Sequence, residues 1–505
     1  MGRERKMRIH RLLMVAVISA TQLVANLAQA EDASETIKLL LKRIEELEKK
    51  VERLENKPPL DQGSAGDKAK IGALEEKVKI LDRQRELDQE SATEKAKSAP
   101  VVSIGQSGLQ VRSADSNFVF KARGYVQADA RFYANDSAAG TANDTFLLRR
   151  VRPIFEGTVY DKFDYRIMLD FGANTSATSA NIGNNGMLQD AYLTARLWPE
   201  FQIQAGKFKE PVGLERLQSG ANLLFVERGY PTQLVPNRDV GVQLQGELFS
   251  GTLNYAAGVF NGVANGGSAD IEIADDDKDV AGRLFARPFK NSNIGALRGF
   301  GIGVAGTYGN QEGALRTFVS PGQQRFFGYR TGLGTNAATA NIVADGRHWR
   351  VSPQGYYYWG PFGLFGEFVV SDQKVRRDAG DSTFANIRNT GWQVAASYIL
   401  TGEENSFQSI TPRKPFSLGG DGWGAWEVTG RVGQLTVDDD AFPLFANPAI
   451  SAREATSWGV GLNWHLNRNF KVNLNYEQTD FKGGDNSPLN AKGEKVILTR
   501  AQISF

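Results

Sequence analysis

Basic side chains recur at alternate positions in three nearby segments: Lys121, Arg123 and Arg131, then Arg150 and Arg152, then Arg166. Alternate residues of an extended chain share a face, so this spacing gathers cations on one surface. Guanidinium groups carry forked donors that match carboxylate and phosphate-like oxyanions. The chemistry implied is recognition of small anions rather than bond making. Catalysis has little to draw on, because the chain has no Cys and only three His, His10, His348 and His465, with no evident Ser or Asp partner. No catalytic residue, cofactor site or metal site is assigned. Gly301-x-Gly303-x-x-Gly306 fits a dinucleotide fingerprint, but no amphipathic helix follows it. The runs Asp275-Asp276-Asp277 and Asp438-Asp439-Asp440 read as solvated turns before calcium loops.

A scaffold must hold those cations in register. Its mean hydropathy of −0.36 is too polar for a bundle of membrane helices, and a net charge of +2 argues against a protein that coats nucleic acid. A transmembrane β-barrel accommodates this composition, since its strands alternate lipid-facing and water-facing side chains. Phe470, Val472, Leu474 and Tyr476 alternate with Lys471, Asn473, Asn475 and Glu477, and Trp458 to Leu466 behave alike. A soluble sandwich would also bury one face. Aromatic residues at strand ends (Tyr125, Phe132, Trp198, Phe201, Trp359, Trp392, Trp426, Trp458 and Phe481) favour the barrel, as interfacial girdles do. Sixteen segments are expected to begin near residues 118, 146, 162, 188, 200, 239, 251, 280, 300, 347, 361, 390, 423, 454, 469 and 494. The fold class is all-β: a 16-stranded antiparallel transmembrane barrel over residues 116–505, with a periplasmic coiled-coil segment before it. Parity places Arg283 of a later segment in the lumen as well, while connections 290–299 and 401–422 are long for periplasmic turns.

Residues 1–30 read as a signal peptide: a basic start, an apolar run from Leu12 to Leu27 and Ala28-Gln29-Ala30 before the cleavage point. The competing reading is a membrane anchor, for which the run is short. Over residues 31–95, Ile37, Leu40, Ile44, Leu47, Val51 and Leu54, then Ile71, Leu74, Val78 and Leu81, alternate spacings of three and four, a coiled-coil seam. It joins subunits, reaches toward the cell wall, or lies on a membrane surface. Residues 96–115 are expected as a linker.

The connection at 209–238, KEPVGLERLQSGANLLFVERGYPTQLVPNR, is more apolar than open water requires and carries Lys209, Arg216, Arg228 and Arg238. It is expected to fold inward and narrow the pore, or else to pack against a neighbouring subunit. Terminal Phe505 on an alternating strand resembles the signal by which the assembly machinery of the outer membrane recognises barrels.

Across residues 101–505 the ordered segments FKARGYVQADARFY, FLLRRVRPIFEG, AGKFKEPVGLERL, FVERGYP, NRDVGVQL, GAWEVTGRVG and GLNWHLNRNFKVNLNYEQTDF resemble the phosphate-selective porin family of the O and P type. The resemblance implies an outer-membrane homotrimer whose sixteen-stranded barrels pass anions along a ladder of arginines, with Arg123 and the Arg149-Arg150 pair as ladder residues and Arg283 and Arg228 as weaker matches. Ideal alternation cannot aim both Arg149 and Arg150 inward, so a bulge is required. Residues 291–373 lack the lysines of phosphate-selective members, and Arg316, Arg325 and Arg330 stand there instead. The leading expectation is a passive channel for small anions, phosphate or polyphosphate among them. Two others stay open: a structural anchor with a coiled-coil tether, and a general or cation-preferring porin, given 39 basic and 39 acidic side chains in residues 101–505.

Overall fold

The computed structural model describes residues 45–46, 49, 65–134, 143–172, 187–271, 276–332, 341–378, 383–483 and 493–505. Residues 1–30 and the first heptad seam, Ile37 to Leu54, lie outside them. The chain divides into two units, 1–94 and 95–505. A helix, Ala65–Ser98, occupies the first and runs just past the boundary. Leu74, Val78 and Leu81 of the second seam are all more than half exposed on it. Helix continues through residues 96–98, where the linker was expected to begin. Ala and Lys there favour helix, and Pro100 sets the stop because it disfavours helical geometry in the residue before it.

The expected linker also holds a β-hairpin, Val101–Gly105 with Gly108–Arg112. Gly108 lies at φ 87°, and a Cβ there would sit 2.3 Å from the Ala122 carbonyl oxygen. Periodicity over five residues is too short to distinguish such a hairpin from a polar connector.

Sixteen antiparallel strands then form one closed sheet. They are β1 Phe118–Tyr133, β2 Thr145–Val159, β3 Phe163–Asp170, β4 Met187–Trp198, β5 Phe201–Lys209, β6 Arg238–Leu248, β7 Leu253–Phe260 and β8 Asp279–Ala286, followed by β9 Phe300–Ala314, β10 Asn341–Trp359, β11 Phe362–Asp378, β12 Thr383–Ile399, β13 Ala425–Thr436, β14 Glu454–His465, β15 Phe470–Lys482 and β16 Glu494–Ser504. Closure comes from β1, whose residues 125–133 pair with β16 while 119–122 pair with the hairpin. Gly124 and Phe505 exchange backbone hydrogen bonds of 2.8 and 2.9 Å where the two partners meet. Strand starts fall within two residues of expectation except β10 and β12, which begin at Asn341 and Thr383 instead of 347 and 390. Their first turns of sequence lack apolar alternation, and a register shift between Ala344 and His348, with Gly346 at φ 113°, breaks the pattern in β10.

The pattern of burial is inverted relative to a soluble domain. Phe146, Leu193, Val460 and Leu474 are exposed on the outer face, whereas Asn473, Asn475 and Glu477 on the inner face are at most 1% exposed. Only a hydrocarbon solvent stabilises that arrangement, because water would charge for every exposed apolar side chain and leave nothing to stabilise the polar centre. Among the described residues no helix is long and apolar enough to cross a membrane, so the strands are the spanning elements. Trp198, Trp359 and Trp458 are exposed as girdle residues. Tyr125 and Phe481 are not: both are buried, Tyr125 in the lumen and Phe481 against Phe326, since each falls on the inward parity of its strand.

Tight connections gather at one end, with non-glycine residues in left-handed turns at Tyr160-Asp161 and Phe249-Ser250. Of the long connections at that end, 290–299 holds a 3-10 turn, Gly295–Leu297. The connection 401–422 reaches into the barrel, where Phe407 packs on Tyr356 and Phe365. At the opposite end the long loops fold over the opening, burying Phe318, Phe326, Phe327 and Phe445 against Tyr230 and Leu234.

Candidate permeation site

The connection between β5 and β6, residues 210–237, turns into the barrel, as its apolar content predicted. Two four-residue helices stiffen it, Leu214–Leu217 and Pro231–Leu234, and the opposite wall receives it through buried polar side chains. Glu367 of β11 accepts from the backbone N–H groups of Leu214 (2.7 Å) and Glu215 (3.3 Å). Asn475 of β15 accepts from the Val226 N–H at 2.7 Å, and Asn463 of β14 donates to the Leu224 carbonyl. Gln127 and Gln502 hold the Gly220 and Ala221 carbonyls. These residues sit on inward parity, where a short Asn, Gln or Glu reaches a loop lying across the lumen. Substituting Glu367 by alanine leaves two buried N–H groups without an acceptor, at a cost of about 2–4 kcal/mol; the expected result is a wider, noisier single-channel conductance with the barrel intact by circular dichroism.

Glu227 is the loop's electrostatic centre. Arg149 donates to it twice (2.6 and 3.1 Å) and Arg131 once (3.2 Å), while Arg150 and Arg500 approach to 3.9 and 4.0 Å. Arg431 donates to the Glu227 carbonyl at 2.8 Å and stacks over Phe225. The required bulge lies where it was needed: Gln127 pairs with Arg150 and Ala128 with Leu148, so Arg149 is the extra residue and turns inward beside Arg150. Arg500 in turn makes two 2.7 Å bonds to Asp129.

This corrects the expected pathway. Arg131, Arg149 and Arg150 do not face open space; they fasten the loop. Glu227 lies beside Arg228 in the segment FVERGYP, but parity cannot reveal that a loop acid will meet the arginines of two strands 78 and 96 residues away.

On the other side of the loop the lumen stays open. A cavity of about 550 Å³ lies against β2–β8, bordered by Arg152, Arg166, Lys209, Arg238 and Arg283, with Asp190 and Glu247 as its acids. It shares Tyr125, Arg166 and Ser219 with a cavity of about 470 Å³ at the short-turn end, which Lys121, Arg123, Arg468 and Lys471 border. The cations divide into two kinds. Arg152 pairs with Asp170, Arg123 with Glu156, Arg166 with Glu156 and Asp190, and Arg238 with Asp190. By contrast, Lys209 donates to the Leu217 and Gln218 carbonyls, Arg228 to those of Glu215 and Gln218, and Arg216 to that of Thr232. Arg283 is held by Gln354 and stacks 4.5 Å from the Phe285 ring. A neutral acceptor positions a cation without cancelling its charge, and of these groups Lys209 and Arg283 border the open cavity. Among the described residues no group of three or more His, Cys, Asp or Glu side chains could hold a metal ion.

A closed sixteen-stranded sheet with an apolar exterior, a polar interior and a loop folded across its lumen defines a porin of the outer membrane. The chain matches the family model described as phosphate-selective porin O and P over residues 120–505, and it belongs to that family. Porin O of Pseudomonas aeruginosa is 26% identical over 433 residues, which are 81% of this chain and 93% of that protein. Among solved structures, the outer membrane channel DcaP of Acinetobacter baumannii aligns with a TM-score of 0.49 and 12% identity, covering 78% of this chain and 99% of that one. An anion-selective porin from Comamonas acidovorans aligns with a TM-score of 0.43 and 13% identity over 77% of this chain and 100% of its own.

Proposed function

We propose that the barrel is a passive channel for small anions, with phosphate-like oxyanions among them, and that it works as a homotrimer rather than as an enzyme. The observation that carries the reading is the set of cations seated on neutral acceptors, Lys209, Arg216, Arg228 and Arg283, of which Lys209 and Arg283 border the open cavity. An anion entering from the short-turn end meets Lys121, Arg123 and Lys471 first, passes Arg166, and reaches the loop margin at Lys209. Each group replaces part of the ion's hydration, and Asp190 and Glu247 keep the attraction shallow enough for release. In planar bilayers the reversal potential in a chloride gradient is expected to carry the anion sign, and millimolar phosphate is expected to block chloride current competitively. A cation-signed potential would reject the proposal in favour of a cation-preferring porin.

The helix Ala65–Ser98, with Leu74, Val78 and Leu81 exposed, favours a second role for the N-terminal segment. An apolar stripe of this kind is stabilised by a partner helix, so the segment joins subunits or tethers the barrel toward the cell wall. Deleting residues 31–95 is then expected to lower resistance of the envelope to detergent while conductance stays unchanged.

A further inference from the structure

The lipid-facing wall formed by β9–β12 has a notch. On its outer face Ile302 pairs with Gly355, Gly355 with Gly366, and Gly366 with Val394, so two adjacent strands present glycine side by side in one cross-strand row. Ile302 and Val394 are both exposed at the two ends of that row, and Trp392 and Tyr357 border it in the neighbouring rows. The hollow measures about 580 Å³.

Backbone geometry does not demand these glycines, since neither is among the residues with positive φ. A Cβ at Gly366 would stand 3.3 Å from the Gln393 carbonyl oxygen and 3.6 Å from Val394 Cγ2, so a side chain there needs the neighbouring strand to give by only a few tenths of an ångström. The inward neighbours Glu367 and Gln393 are occupied with the loop, Glu367 through Leu214 and Gln393 through Glu215, so the hollow does not serve the lumen. Glycine within a strand weakens it and marks places where another molecule approaches the backbone closely.

Depth and surroundings identify that molecule. Gly355 is four residues from the exposed Trp359 and the tight Gly360-Pro361 turn; at about 3.3 Å per residue and a tilt near 45°, that is roughly 10 Å above the interface, inside one ~15 Å leaflet. Short turns face the periplasm in this architecture. The wall here is also the tallest of the barrel, with strands of 19, 17 and 17 residues, more than the roughly 9–11 residues a strand needs to cross the hydrocarbon core. We infer that the Gly355–Gly366 notch is a binding groove for one acyl chain of a periplasmic-leaflet phospholipid. The inference rests on the outer-membrane placement and is independent of anion selectivity.

The test uses the full chain in vesicles of phosphatidylethanolamine and phosphatidylglycerol doped with a phosphatidylethanolamine bearing a photoreactive acyl chain. Label is expected to concentrate in peptides spanning residues 350–370 and 390–398, and Gly366→Leu, which fills the hollow, is expected to lose about threefold or more of it. Ala205→Leu, which adds the same leucine side chain at an exposed site on β5, should leave labelling unchanged. Even labelling around the belt in the unaltered protein would overturn the inference without requiring any variant to fold. Val394→Cys supplies a second decision, since the chain has no other Cys: efficient disulfide joining of two copies would show that the notch faces another subunit, whereas persistence as unlinked chains is expected. Chloride and phosphate conductance should be the same with and without Gly366→Leu, which separates failure here from failure of the channel reading.

Discussion

Glu227→Ala is expected to unseat the constriction loop while leaving the barrel folded. The substitution removes the carboxylate on which Arg131 and Arg149 converge directly, with Arg150 and Arg500 within 4.0 Å. Glu227 is 3% exposed and Arg150 and Arg500 each 2%, so solvent does not screen the loss. Removing one partner of a buried ion pair costs about 3–5 kcal/mol, more than a single loop hydrogen bond supplies. The sheet itself is held by backbone ladders that the substitution does not touch, and the loop keeps its contacts to Glu367 and Asn475. Single channels should therefore flicker between open levels, trypsin should cut at Arg228, and the anion-to-cation permeability ratio should rise as Arg131, Arg149 and Arg150 lose their counter-charge, while Arg500 keeps Asp129. Quiet channels of unaltered conductance, with Arg228 still protected, would show that Glu227 does not hold the loop.

The second large effect concerns selectivity. Lys209→Gln together with Arg283→Gln removes two cavity cations whose hydrogen-bond partners are neutral. At an effective dielectric of about 20, a unit charge about 5 Å away attracts an anion by roughly 3 kcal/mol before desolvation is subtracted. The expected result is a fall of about tenfold in the anion-to-cation permeability ratio, read as a shift of reversal potential toward the cation sign. Arg152→Gln is expected to do less to selectivity and more to stability, because that guanidinium is already offset by Asp170 at 2.7 Å. Raising ionic strength should shrink the difference between variant and parent, as a long-range field requires. An unchanged ratio in the double variant would place the ion path elsewhere.

The two predictions separate residues that looked alike in the sequence. Arg149, Arg150, Arg283 and Lys209 are all cations on or beside inward-facing positions, yet the first two meet the loop carboxylate of Glu227 and the last two border the open cavity on neutral acceptors. The distinction depends on which acceptor each one meets, and acceptors arrive from loops and strands far along the chain. Glu227 shows this most directly, since its meaning lies entirely in strands β1, β2 and β16. The hairpin at Val101–Arg112 and the seating residues Glu367, Gln393, Asn463 and Asn475 stayed illegible for the same reason.

By itself the sequence determined the period-two pattern, and with it the strands and the sidedness of each, whereas the need for a bulge at Arg149-Arg150 came from the family resemblance that makes both of them ladder residues. These follow from local geometry: side chains of an extended chain alternate, and only hydrocarbon outside and polar groups inside suit that alternation in a closed sheet. Tertiary structure alone decided how charge is shared, because electrostatic cancellation falls off over a few ångströms and closing the barrel brings residues 129 and 500, or 149 and 227, within that distance.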